Sequence, residues 1–168
     1  MKQCSLSELE EQASRAGLLL RLKVGRPLGL WALRLVVADH LSPKKVRILG
    51  EMKTWAYGGM SGLQLDTIRV HPNAPRGVGS LVWAATMSWA LESTPCKKTR
   101  LLAICDEEYR HKCLVRYFSM RGFEIIREVG SSPTDLPLRM VWGGAGSLMA
   151  ADCLDVFQKS YSRWETVG

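Results

Sequence analysis

An α/β fold built on a mixed sheet is predicted by three features of this chain. Strand-like and helix-like periodicities alternate along it. A strand ending at Val70 passes through a glycine-bearing turn into a helix from Val78, and a second strand-to-helix step follows from Arg100. A strand that returns through a helix lies parallel to its predecessor, whereas strands joined by a tight turn are antiparallel, so both pairings are implied. The 168 residues suit one domain over 1–168 with one main core.

Taken in order, Ser5 to Ala16 opens with a capping serine, carries Glu8 three residues later and spaces Leu6, Leu9 and Ala13 for one helix face, with Gly17 as a stop. Leu18 to Val24 and Leu30 to Ala38 read as strands, the second also compatible with a helix after Pro27. Lys45 to Tyr57 and Leu63 to Val70 are strands meeting across Gly58-Gly59-Met60-Ser61-Gly62 as a hairpin. Val78 to Leu91 is helical, Arg100 to Cys105 is a short buried strand, and Glu107 to Arg121 is a helix with acidic residues in its first turn. Phe123 to Glu128 and Leu138 to Trp142 read as two closing strands joined across Ser131 to Pro137. Gly143-Gly144-Ala145-Gly146 reads as a turn or bulge, and the tail from Asp152 as a short helix or a frayed end. The apolar segment from Met140 to Ala150 is a candidate dimer edge.

Composition narrows the function class. Apolar residues make up 46% and charged residues 23%, which is ordinary globular usage. The net charge of +7 favours polyanionic partners such as phosphorylated cofactors, nucleic acid or acidic membrane. No nucleic-acid recognition motif accompanies it, so nucleic acid is an unlikely partner. The longest uncharged stretch, Met140 to Ala151, is too short for a bilayer, and the first 25 residues lack a secretory signal pattern. Five cysteines without a CxxC pair fit reduced thiols in a cytoplasmic protein, and their spacing with His111 is not that of a zinc site; no metal is expected.

The strongest local signal is Val70-His71-Pro72-Asn73-Ala74-Pro75-Arg76-Gly77-Val78-Gly79, which ends a strand and opens a helix. Glycines let backbone approach a ligand closely, and a helix N-terminus presents free N–H groups and a partial positive charge to phosphate. Arg76 adds a permanent cation with a fork of donors. A tight turn that merely needs glycine explains the same pattern. No Gly-Lys-Ser/Thr follows, which excludes a Walker A loop, and the third glycine of the dinucleotide fingerprint is missing.

With these residues in view, the stretch from Lys45 to Trp142 resembles the GNAT superfamily of acyl-CoA-dependent N-acyltransferases. Arg76-Gly77-Val78-Gly79-Ser80-Leu81 is similar to the family loop Q/R-x-x-G-x-G/A, departing at Leu81, and Arg121-Gly122-Phe123 keeps the Gly-Phe close of its second motif. The resemblance implies a splayed central sheet flanked by helices and acetyl-CoA as acyl donor. The donor's pyrophosphate would lie on the N–H groups of Arg76, Gly77, Val78, Gly79 and Ser80, and its pantetheine beside Ile68 and Val70. It also implies that the Val70 N–H polarises the thioester carbonyl. His111 and Phe118 fall where the family carries an asparagine and a proton-donating tyrosine, so both are placed on the cofactor while the acid is missing. Tyr117, one residue earlier and about 100° round the helix, replaces it only if the helix is rotated or shifted.

The acceptor implied is a primary amine of a small molecule or protein, attacking directly within a ternary complex. Neutralising a lysine ammonium at pH 7 costs about 4.6 kcal/mol, against about 1 kcal/mol for an α-amine, so a base matters far more for the first. Period two puts Gln64, Asp66, Ile68 and Val70 on one strand face. Relatives often carry glutamate at the Gln64 position; Asp66 is the nearest carboxylate, working through water as base or else merely pairing at the hairpin surface. Trp55, beside the glycine turn, is placed to line an acceptor groove. The alternative is a catalytically weak module that binds acyl-CoA or regulates, consistent with Phe118 and Gln64.

Overall fold

The structure, a computed structural model, describes residues 3–105, 107–142 and 144–167; Gly143 of the late glycine run lies outside them. Its elements are α1 (Leu6–Arg15), β1 (Leu19–Gly25), β2 (Trp31–Ser42), β3 (Lys45–Ala56), β4 (Leu63–Val70), α2 (Val78–Ser93), β5 (Lys98–Ile104), α3 (Glu108–Ser119), β6 (Glu124–Val129), α4 (Leu136–Trp142), β7 (Gly146–Asp152) and α5 (Cys153–Glu165). The strands form one mixed sheet in the order β1-β2-β3-β4-β5-β7-β6. All neighbours are antiparallel except β4 and β5, which are joined through α2.

Local chemistry accounts for the early elements. Ser5 and Glu8 form the capping box, each side chain bonded to the other's backbone N–H. Pro27 opens a short 3-10 turn and the following residues extend as β2, which settles the strand-or-helix ambiguity. Helix α2 is apolar nearly all round, from Val78 and Leu81 to Trp89 and Ala90, because it is buried on nearly all sides. The sheet packs on one side of it, and α1 and α5 pack on others.

Four expectations are corrected. Leu138 to Trp142 belongs to a helix: Pro133 starts a 3-10 turn, Asp135 accepts the Gly130 N–H at 3.0 Å and pairs with Arg127, and Pro137 stands at the second helical position, where its missing N–H costs nothing. The closing strand is β7, which begins at Gly146, a residue read as turn. Since β7 lies between β5 and β6, its residues 146–150 supply no dimer edge; the sheet's free edges belong to β1 and β6. The tail takes the helical one of its two readings, as the 13-residue α5 held by an Asp152 cap and packed along α2.

The fourth correction concerns β4. Lys53 opposes Thr67 while Thr54 opposes Leu65, so Asp66 is an extra residue, a β-bulge. The bulge reverses the alternation. Gln64 sits opposite the half-exposed Trp55, while Ile68 sits opposite the fully buried Met52; Gln64 therefore faces away from Ile68 and Val70. Period two holds only for an unbroken strand.

Candidate functional site

The bulge marks where the sheet opens. β4 and β5 pair only at Leu63 with Thr99 and at Gln64 with Arg100, whereas β5 pairs with β7 from Lys98 to Ile104. A bulge raises local twist and bends its strand, so β4 leaves β5 just beyond Gln64. The resulting wedge holds a cavity of about 50 Å³. Leu65, Asp66, Thr67 and Ile68 of β4 line it together with Leu101 and Leu102 of β5, Met52, Trp83 and Phe118.

At the outer end of the wedge stands the loop into α2. Gly77 is the N-cap with φ of 91°, a left-handed conformation open mainly to glycine, and no side chain among the described residues caps this helix. The N–H groups of Gly79 and Ser80 have no backbone acceptor among the described residues. Orphan donors of this kind form a site for an anion. Arg76 is exposed and forms no ion pair among the described residues, which leaves its charge available above the loop. Val70 lies beside the helix start, its Cγ2 3.6 Å from where a Cβ on Gly79 would stand.

A second cation approaches the same helix end from within. Arg121 is 5% exposed, donates to Ser160 Oγ at 3.2 Å, and lies 4.8 Å from the Tyr117 ring centroid and 5.5 Å from that of Trp83. Its Nε has no partner among the described residues, and its Nη2 lies 3.9 Å from a Cβ placed on Gly79. Burial pushes the guanidinium below its ordinary pKa, with Tyr117 opposing that shift. A buried guanidinium without a carboxylate is costly, and an anion at the α2 N-terminus would offset that cost. Sequence reading missed this residue, although it directly precedes the Gly122-Phe123 pair.

The inner wall is aromatic. Phe118 packs edge-on against Trp83 and Phe123, and its ring lines the wedge. Tyr117 is turned toward Trp83, whose indole N–H donates to the phenol oxygen at 2.9 Å. His111 is anchored away from the lining: Nε2 lies 3.0 Å from Ser147 Oγ, Nδ1 lies 3.3 Å from the Ile104 carbonyl, and Ser147 in turn donates to Glu128 at 2.8 Å. This chain of polar contacts ties α3 to β7 and β6.

The structure thus gathers Asp66, Ile68 and Phe118 around the wedge and places Val70, Arg76, Gly77, Val78, Gly79 and Ser80 at its mouth. Tyr117 stands one contact behind the lining, and His111 at the far end of α3. Gln64 is 2% exposed, and neither amide atom has a partner among the described residues, an arrangement that costs about 1–3 kcal/mol per group when left unmet. Among the described residues no group of three or more His, Cys, Asp or Glu is arranged to hold a metal ion, and no helix is long and apolar enough to cross a membrane.

No family model matches the chain, and no curated protein matches it. Solved structures do. An uncharacterized protein from Bacillus halodurans aligns with a TM-score of 0.50 at 15% identity, over 80% of this chain and 65% of that one. The architecture is GNAT-like. An acetyltransferase of the GNAT family from Streptococcus pneumoniae aligns at 20% identity with a TM-score of 0.47, over 72% of this chain and 66% of its own. An aminoglycoside 6'-N-acetyltransferase from Enterococcus faecium aligns at 13% identity with a TM-score of 0.46, over 71% and 73%. At such identities the likeness is one of fold, and this GNAT-like chain spans about two thirds of the length of the first two proteins.

Proposed function

We propose that this protein is an N-acetyltransferase that takes the acetyl group of acetyl-CoA to a primary amine by direct attack in a ternary complex. The observation that carries the reading is the wedge between β4 and β5 opening onto an uncapped helix N-terminus flanked by Arg76 and Arg121. These residues fit a long ligand with a pyrophosphate at one end. The N–H groups from Arg76 to Ser80 would hold the phosphates. Ile68 and Val70 would flank the pantetheine in the wedge, with Phe118 at its inner wall and His111 toward the end of α3. Bound there, acetyl-CoA supplies an acyl group already activated as a thioester.

The chain's own residues then have three tasks. The Val70 N–H polarises the acyl carbonyl, a donor aimed where negative charge develops. Asp66, at the bulge, takes a proton from the incoming ammonium through water. Tyr117, whose phenol oxygen accepts from Trp83 one contact behind the lining, would protonate the departing thiolate in place of the tyrosine that Phe118 replaces once a shift of α3 brings it to the wedge. A thiol pKa near 8.5 makes this last step helpful rather than obligatory.

Calorimetric titration with acetyl-CoA tests the reading. Saturable binding is expected, weakened about tenfold or more in an Arg76→Glu, Gly79→Trp variant whose loop is reversed in charge and filled. Amine-dependent release of CoA should follow, rising in Phe118→Tyr. Absence of binding at millimolar ligand would sink the proposal. Binding without turnover on any amine would favour a module that binds acyl-CoA without efficient catalysis.

A further inference from the structure

A second hollow lies on the sheet face turned away from α1 and α2. It measures about 440 Å³ and is lined by Lys23, Gly25 and Pro27 of β1 and its turn, Ala32, Leu33 and Arg34 of β2, Lys53, Thr54 and Trp55 of β3, and Asp66. Its volume lies within the usual range for a small-molecule site. The register explains the hollow. Gly25, Ala32, Trp55 and Gln64 lie opposite one another across four strands, so two of the smallest side chains form a floor beside an indole wall.

The next row along the same face is Lys23, Arg34 and Lys53, directly opposite one another on three adjacent strands. Like charges directly opposite destabilise a sheet, and adjacent strands are only about 4.8 Å apart. One of the three is answered: Arg34 donates to Glu51 at 2.6 Å. Lys23 and Lys53 have no ion-pair partner among the described residues. The row beyond it adds Arg21 and Arg69 on either side of Val36 and Glu51. Five cations therefore share this face with the carboxylates of Glu51 and Asp66.

Asp66 joins the two hollows. As the bulge residue it lines both this groove and the wedge between β4 and β5. A ligand in the groove with its amine at Asp66 would have its far end over Lys23 and Lys53, and its middle against Trp55 and Pro27. The aliphatic stems of the lysines add apolar wall while their ammonium groups stay at the rim.

We propose that this groove is the acceptor site and that it selects a small primary amine with an apolar body and a carboxylate at the end far from the amine, of the kind an ω-amino acid presents. The inference rests on the acetyltransferase reading above. It goes beyond that reading by assigning the acceptor's charge. The surplus of cations on this face is then a recognition surface, and the anion relieves the repulsion within the Lys23-Arg34-Lys53 row.

The test compares ω-amino acids of increasing chain length with the corresponding ω-amino amides as acceptors, followed by CoA release, in the wild type and in Lys23→Glu, Lys53→Glu. Calorimetry with acetyl-CoA runs alongside in both proteins. The acids are expected to exceed their amides by about tenfold or more in kcat/KM, a preference that falls as salt is raised. The double variant should raise KM for the acids about tenfold, leave kcat nearly unchanged and remove the preference, with acetyl-CoA affinity intact. An Ala32→Trp variant should block acceptors and still bind acetyl-CoA. Intact acetyl-CoA binding with amides or cationic amines preferred, or with no response to charge reversal, would overturn the acceptor assignment and leave the transferase reading standing. Absence of acetyl-CoA binding in the wild type would overturn both.

Discussion

Cys153 shows how far a side chain's surroundings set its chemistry. It is fully buried, and burial, with Cys96 and Asp152 adding to it, pushes its thiol up to about 12. Cys4 is raised in the same direction, again chiefly by burial. A thiol whose folded pKa lies above its unfolded value near 8.5 favours the folded state fully below that value, and the contribution is lost as pH rises toward the folded pKa. Stability to urea should therefore fall progressively between about pH 8.5 and 12, and less so in Cys153→Ala. Cys105 and Cys113 are exposed while the other three are buried. Alkylation of the native protein at pH 8 should accordingly modify those two quickly and the remainder only on unfolding. Turnover should survive the joint replacement of Cys105 and Cys113 by serine.

Among the elements, α5 has a role that its distance along the chain conceals. Trp164 is nearly buried, its indole N–H donates to Gln12 Oε1 at 2.9 Å, and its ring lies 3.2 Å from where a Cβ on Gly77 would stand. The last helix thus packs against both α1 and the N-cap of α2. Trp164→Ala should cost about 3–5 kcal/mol of unfolding free energy, measured by urea titration, and should weaken acetyl-CoA binding at temperatures where the variant remains folded. At the other end of the site the bulge in β4 performs two tasks. It opens the wedge, and it leaves one carboxylate lining both hollows.

Across the whole molecule, sheet order decides which surfaces are available. β7 enters between β5 and β6, which takes Leu148, Met149 and Ala151 out of solvent. Met149→Asp should therefore abolish the cooperative thermal transition followed by circular dichroism, because an unpaired carboxylate would be forced into the core. A dimer-edge role would instead predict a folded monomer. Charge is distributed at this scale as well: five cations lie on the open face of β1 to β4, while Arg76 and Arg121 serve the opposite end of the wedge. The net charge alone could not place either group.

Sequence by itself determined the elements whose signals are local. The capping box of α1, the hairpin at the glycine turn, the β4-to-α2 passage and the alternation of strands with helices are written in neighbouring residues, as is the loop from Arg76 to Ser80. What only the tertiary structure decided depends on residues far apart in the chain. Leu138 to Trp142 is apolar enough for a strand, yet becomes a helix once Asp135 receives Arg127 and the Gly130 N–H. The Asp66 bulge leaves no mark in the periodicity of β4 and is visible only as a register shift against β3. Arg121 and the Lys23-Arg34-Lys53 row acquire meaning from what folding sets beside them: a helix end in one case, adjacent strands in the other. Hydrogen-bonding patterns that begin a helix or close a turn span a few residues, so sequence reports them directly. Strand order, register and buried charge are set by contacts across the fold, and those exist only once the chain has packed.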